Sequence, residues 1–134
     1  MKKILINASN LHGGGAVAVA SSFIYELSLL DTEKININLL VSSEVDNNIK
    51  QKNTNISGFV TYKVKDFYGL SSLWKGLSTE FLGYDLVFTI FGPAYFTFSK
   101  VKHIVGFAQP WIIYPNNLVA KQLRIFNKIK LKLH

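Results

Sequence analysis

The chain of 134 residues is 49% hydrophobic with a mean hydropathy of +0.20, which suits one globular domain with its own core and leaves no room for a second of ordinary size. A charged fraction of 17% excludes a disordered polyelectrolyte, and the absence of cysteine excludes disulfides, iron–sulfur clusters and cysteine-ligated zinc. The net charge of +7 is unevenly placed: all 8 acids lie at or before Asp85, and Lys100, Lys102, Lys121, Arg124, Lys128, Lys130 and Lys132 supply the surplus, so this end is expected to face an anion such as a membrane surface, a phosphorylated ligand or nucleic acid.

In chain order, Lys3–Asn7 is a short Ile/Leu-rich run that predicts a buried first strand. Asn7, Ser9 and Asn10 end its apolar run too early for a secretory leader. After Gly13-Gly14-Gly15, the spacing of Val17, Ala20, Ile24, Leu27 and Leu30 predicts an amphipathic helix over Ala16–Leu30. Ile35–Val41 alternates as a second strand, and Ser43 is expected to cap a short helix running towards Lys50. Asn53–Gly58 reads as a polar loop and Phe59–Val64 as a third strand. Ser71 or Ser72 is expected to cap a helix holding Leu73, Leu77 and Phe81, stopped by Gly83. Leu86–Phe91 predicts a fourth strand broken by Gly92-Pro93, and Lys102–Phe107 a fifth. Leu118–Leu133 predicts a final basic helix. The stretch from His103 to Ala120 carries Pro110, Pro115, Asn116 and Asn117 and makes a poor membrane span, so a cytoplasmic protein is expected.

Strands alternating with helices predict an α/β domain, a Rossmann-like parallel sheet flanked by helices. Ligands of such sheets bind beyond the C-terminal ends of the strands, which directs attention to Ala8–Gly15, Ser42–Asp46, Gly92–Tyr95 and Ala108–Tyr114. The glycines at 13, 14 and 15 lie between the first strand and first helix. There the backbone can approach a ligand, and free helix N–H groups suit a phosphate or carboxylate, although a turn chosen for packing would look the same. Gly13-x-Gly15-x-x-Ala18 also fits the dinucleotide fingerprint formally, but Ala8–His12 separates the strand from the first glycine. The candidate ribose-binding acid, Glu44, lies beyond the ~20 residues expected.

His12 adjoins the glycines at the ligand edge, whereas His103 sits within a strand and reads as structural. No two histidines have metal-ligand spacing, no Ser/His/Asp arrangement can be argued, and neither a metal nor a resident cofactor is expected. Asp85 falls at the opposite end of its strand and reads as a turn residue. Gly92, Pro93, Tyr95, Gln109, Pro110 and Trp111 follow strands at the ligand edge, where the aromatic rings either stack on sugars or cover the sheet. Lys121, Arg124, Lys128 and Lys132 form one stripe of the final helix, opposite Leu118, Ile125, Phe126, Ile129 and Leu133. The stripe is either a membrane-surface face or a solvated one.

The opening from Lys3 to Gly15 resembles the start of GT-B glycosyltransferases of the family 4, or group 1, type. Val87–Pro93 and Gly106–Trp111 resemble strand-end segments of the same family. The resemblance implies the N-terminal, acceptor-side domain of a two-domain enzyme, with Gly13, Gly14 and Gly15 near the diphosphate of a nucleotide-sugar substrate. Asn10, His12 and Gln109 to Trp111 would line the cleft. It implies metal-independent transfer to a glycan or lipid-linked acceptor, with the nucleotide sugar held by a C-terminal domain. That domain is expected to be absent here, because the chain ends at a helix, and the chain alone is expected not to transfer sugar. Where the family often carries a catalytic histidine, this chain reads Ala108-Gln109-Pro110, so no catalytic residue is carried over. The rival expectations are an NAD(P)-binding domain and a non-enzymatic basic module on an anionic membrane. Nothing resembles a nucleic-acid-binding fold, and no such partner is expected.

Overall fold

The first strand, β1 (Lys2–Ala8), divides its side chains by parity, with Ile4, Ile6 and Ala8 on one side of the sheet and Leu5 and Asn7 on the other. The computed structural model describes residues 1–30, 35–95 and 100–107. Across these residues the same division continues through β2 (Ile35–Val41) and β4 (Leu86–Thr89). Ile37, Leu39, Val41 and Ile90 share the first side, covered by Val17, Ala20 and Ile24 of α1 (Gly14–Ser28) and by Val45 and Ile49 of α2 (Ser43–Gln51). Leu40 and Val87 share the second with Leu5, against Phe67 and against Leu77 and Phe81, which begin and follow α3 (Leu77–Glu80). Both faces are therefore closed, and each fully buried Leu, Ile or Val side chain contributes roughly 1.5–3 kcal/mol.

With β3 (Thr61–Val64) and β5 (Lys102–Val105), the sheet has the order β3-β2-β1-β4-β5, and every neighbouring pair is parallel. Ile6 lies opposite Leu39 of β2 and Phe88 of β4. This is the doubly wound, Rossmann-like arrangement. Strand order reverses at β1, so the crevice between β1 and β4 opens at their C-terminal ends.

Several element boundaries differ from the sequence expectation. α1 starts at Gly14 rather than Ala16, and the cap of α2 is Ser42 rather than Ser43. The helix expected from Ser71 to Gly83 is broken into a 3-10 turn (Gly69–Leu73) and the short α3, because Gly76 takes a left-handed φ of 77° between them. β4 and β5 stop at Thr89 and Val105, although the pairing extends through Ile90 N–H to the Asn7 carbonyl and Gly106 N–H to the Thr89 carbonyl. The expected helix over 118–133 lies outside the described residues. Among those described, no helix is long and apolar enough to cross a membrane.

Candidate functional site at the C-terminal edge of the sheet

The loop between β1 and α1 is fastened on three sides. Phe67 N–H donates to the Ser9 carbonyl at 3.1 Å, Ser42 N–H donates to the Ala8 carbonyl at 3.3 Å, and the Ser42 hydroxyl donates to the Leu11 carbonyl. Leu11 itself is buried in the core. On the β4 side, Asn10 Nδ2 donates to the carbonyls of Phe91 (2.8 Å) and Pro93 (3.0 Å), flanking the cis Gly92–Pro93 peptide. Asn10 Oδ1 is buried, with no hydrogen-bond partner among the described residues. Asn10 thus joins the two loops that wall the β1–β4 crevice, and Tyr95 lies half-buried further along the second.

At the start of α1, Gly13 is extended and Gly14 has a φ of 64°, a region that glycine alone enters cheaply. No side chain caps this helix, and its first turn holds no acid. A Cβ placed at Gly13, Gly14 or Gly15 would meet nothing within 4 Å. Gly13, Gly14 and Gly15 are exposed, so the uncapped start of α1, with the partial positive charge of the helix end, lies at the surface on the edge where parallel sheets bind ligands.

His12, next to these glycines, is held through both ring nitrogens. Nε2 lies 2.9 Å from the Phe67 carbonyl, which can only accept, so Nε2 carries a proton. Nδ1 lies 3.1 Å from Glu44 Oε2 and 3.7 Å from Asp66 Oδ1. The ring stacks on Tyr68 with centroids 3.8 Å apart and planes 17° from parallel, and Lys75 Nζ sits 5.5 Å from the Tyr68 centroid. The His12 hydrogen bond is the first cause holding the Glu44 carboxyl below its ordinary value, and Glu44's own backbone N–H adds to it. Ser43 joins the two acids. Its hydroxyl reaches Glu44 Oε2 (3.1 Å) and both Asp66 oxygens (3.0 Å), and its N–H donates to Asp66 Oδ1 (2.9 Å). One imidazole nitrogen and two carboxylate oxygens thus fall within 4.8 Å of one another, a set that could hold a cation.

A second polar network, its Asn7, Ser9 and Thr89 buried and its His103 half-buried, lies on the α3 side of the sheet. Asn7 Nδ2 donates to Thr89 Oγ1 (3.0 Å), Asn7 Oδ1 accepts from the Ser9 N–H and hydroxyl, and Thr89 Oγ1 lies 2.7 Å from His103 Nε2. Burial pushes His103 down from its ordinary value, which favours a neutral ring that accepts the Thr89 hydroxyl proton. His103 also packs 5.4 Å from the Phe81 ring, as befits a structural histidine.

The structure brings together Asn10, Gly92 and Pro93, and places His12 beside Gly13 to Gly15. Gln109, Pro110 and Trp111, and the cations Lys121, Arg124, Lys128 and Lys132, lie outside the described residues. In the sequence Glu44 stands out only as a ribose-binding acid, and Asp66 does not stand out. The available signal was position, since both acids follow closely on the C-terminal ends of strands. Asp85 lies at the other end, accepting from Lys3 N–H at 2.7 Å. Comparisons of the chain with protein-family models, curated proteins and solved structures returned no match.

Proposed function

We propose that this domain is the acceptor-side half of a GT-B-type sugar transferase, with the diphosphate of a nucleotide sugar at the N-terminus of α1. The observation that carries the reading is the uncapped, acid-free glycine start of α1, exposed beside the β1–β4 crevice. The acceptor, a glycan or lipid-linked sugar, would enter between the β1 loop and the β4 loop that Asn10 ties to it. Two features weigh against the dinucleotide alternative. The Ser9–Gly13 loop is longer than the tight turn of that fingerprint, and Glu44, its candidate ribose ligand, is engaged by His12.

The test is titration of the full chain with pyrophosphate, following backbone amides by NMR. Amides of Gly13, Gly14 and Gly15 are expected to shift saturably. Gly15→Glu adds a carboxylate where a Cβ meets nothing and where a helix tolerates an acid, so the variant should stay folded while binding weakens at least tenfold. Unmoved glycine amides at millimolar pyrophosphate, or equal binding by the variant, would refute the reading. Saturable enhancement of NADH fluorescence would shift it to the dinucleotide alternative.

A further inference from the structure

We propose that His12, Glu44 and Asp66 form a divalent-cation site of zinc-like chemistry that joins the loop after β1, the first turn of α2 and the loop after β3. The site does not depend on the sugar-transfer reading, because it serves the loops rather than the transferred group. The argument begins with the proton on His12. Phe67 fixes it on Nε2, so in the neutral ring the Nδ1 lone pair points at two carboxylates. A lone pair facing anionic oxygens is repulsive unless a cation or a second proton stands between them.

Geometry suits the cation. Tetrahedral zinc with bonds of about 2.0–2.1 Å sets its ligand atoms about 3.3 Å apart. Nδ1 is 3.1 Å from Glu44 Oε2 and 3.7 Å from Asp66 Oδ1, and all three ligand atoms lie within 4.8 Å. The two His12 distances need shifts of only a few tenths of an ångström, and the two carboxylate oxygens need close by no more than about 1.5 Å.

The surroundings supply the orientation that metal ligands need. The ring is fixed by a backbone carbonyl on its far nitrogen and by the Tyr68 face. Both carboxylates are aimed by Ser43, which is not itself a ligand. The side chains are 16%, 39% and 34% exposed for His12, Glu44 and Asp66, so water can reach a fourth position and the ion can enter from solvent. One imidazole and two carboxylates are a borderline nitrogen–oxygen set, which favours zinc and cobalt over calcium or magnesium.

The experiment uses the full chain, stripped with chelator and titrated near neutral pH with Zn²⁺ alone. Calorimetry should show one Zn²⁺ per chain, and Co²⁺ should give tetrahedral visible absorption. The unfolding midpoint should rise by roughly 10 °C at a hundredfold excess over Kd. Glu44→Gln and Asp66→Asn should each weaken binding at least tenfold while the metal-free chain stays folded, since each amide keeps an oxygen that accepts from Ser43. His134→Ala should bind as the parent does. Absence of saturable binding at millimolar Zn²⁺, or binding that survives both acid variants, overturns the proposal. So does a His12 ring found doubly protonated with Zn²⁺ present, which would make the cluster an ion pair. Pyrophosphate titration in the presence of chelator addresses the glycine loop separately, so either reading can fail alone.

Discussion

At Gly106 a single absent methyl group decides how β4 and β5 continue. Its N–H donates to the Thr89 carbonyl at 2.9 Å, and its carbonyl accepts Gly92 N–H at 3.1 Å. A Cβ there would overlap the Ile90 carbonyl oxygen and come within 3.0 Å of the Ile90 carbonyl carbon. Both atoms are backbone in a paired strand end, so neither yields as a flexible side chain would. Gly106→Ala is therefore expected to lose about 1–3 kcal/mol, seen as a lower urea midpoint with an unchanged m-value. A midpoint equal to the parent would show that the strand end shifts freely. Sequence alone reads Gly106 as one more position of a strand, because no pattern along the chain reports what faces a glycine. His12 is different. Its place between a strand and a glycine run marks it, but Glu44 and Asp66 join it only through the register of three parallel strands, which no local spacing encodes.

Among the elements, α2 shows how a boundary is chosen between two adjacent serines. Ser42 is extended at φ −76° and ψ 165°, and its hydroxyl accepts Val45 N–H at 3.2 Å while donating to the Leu11 carbonyl. Ser43 turns instead to Asp66 and Glu44. The sequence shows a cap residue ahead of the helix but not which serine has its hydroxyl over the helix end, since the β1–α1 loop selects it. Ser42→Ala leaves a buried N–H and a buried carbonyl without their partner, and about 2 kcal/mol should be lost. Thermal unfolding should then fall by several degrees. No change would mean that water or a neighbouring group takes over both bonds. The segment around α3 has the complementary lesson. Periodicity groups Leu73, Leu77 and Phe81 on one helix face; Leu77 and Phe81 are fully buried, but Leu73 is exposed, and no pattern foresees that Gly76 breaks the helix between them. Burial is written in the apolar pattern, whereas continuity depends on the backbone conformation of one residue.

At the scale of the molecule, alternation of strands and helices is enough to predict a parallel sheet with its ligand edge, but not the order of its strands. That order comes from which face each helix covers, which is settled by packing over the whole sheet. The same assembly buries groups whose ionisation follows pH. Burial holds His103 below its ordinary value of 6.5. Burial opposes ionisation of Asp46, but hydrogen bonds from Lys50 and Tyr62 and the Lys50 charge outweigh it and hold the carboxyl below 3.8. Glu80 behaves alike, with burial exceeded by its bonds to Lys65 and Lys63, which tie α3 to β3. Glu44 is lowered first by His12. In all four groups the unfolded chain binds protons at a higher pH than the folded one, so each contributes stability that is present above the unfolded value and lost as pH falls through the folded value. The contributions share a sign but not a window. Stability should begin to fall as pH drops below about 6.5 through His103, then fall further below about 4.5 as Glu44, Glu80 and Asp46 protonate. Unfolding midpoints measured against pH for the parent and for His103→Gln check the first window, because glutamine can still accept from Thr89 but takes up no proton there. The difference between the two curves should vanish its pH dependence above about 6.5 and grow only below it. Parallel curves from neutrality down to pH of about 5 would mean that His103 protonates without cost, and that the Asn7–Thr89–His103 network does not hold β5 to the sheet.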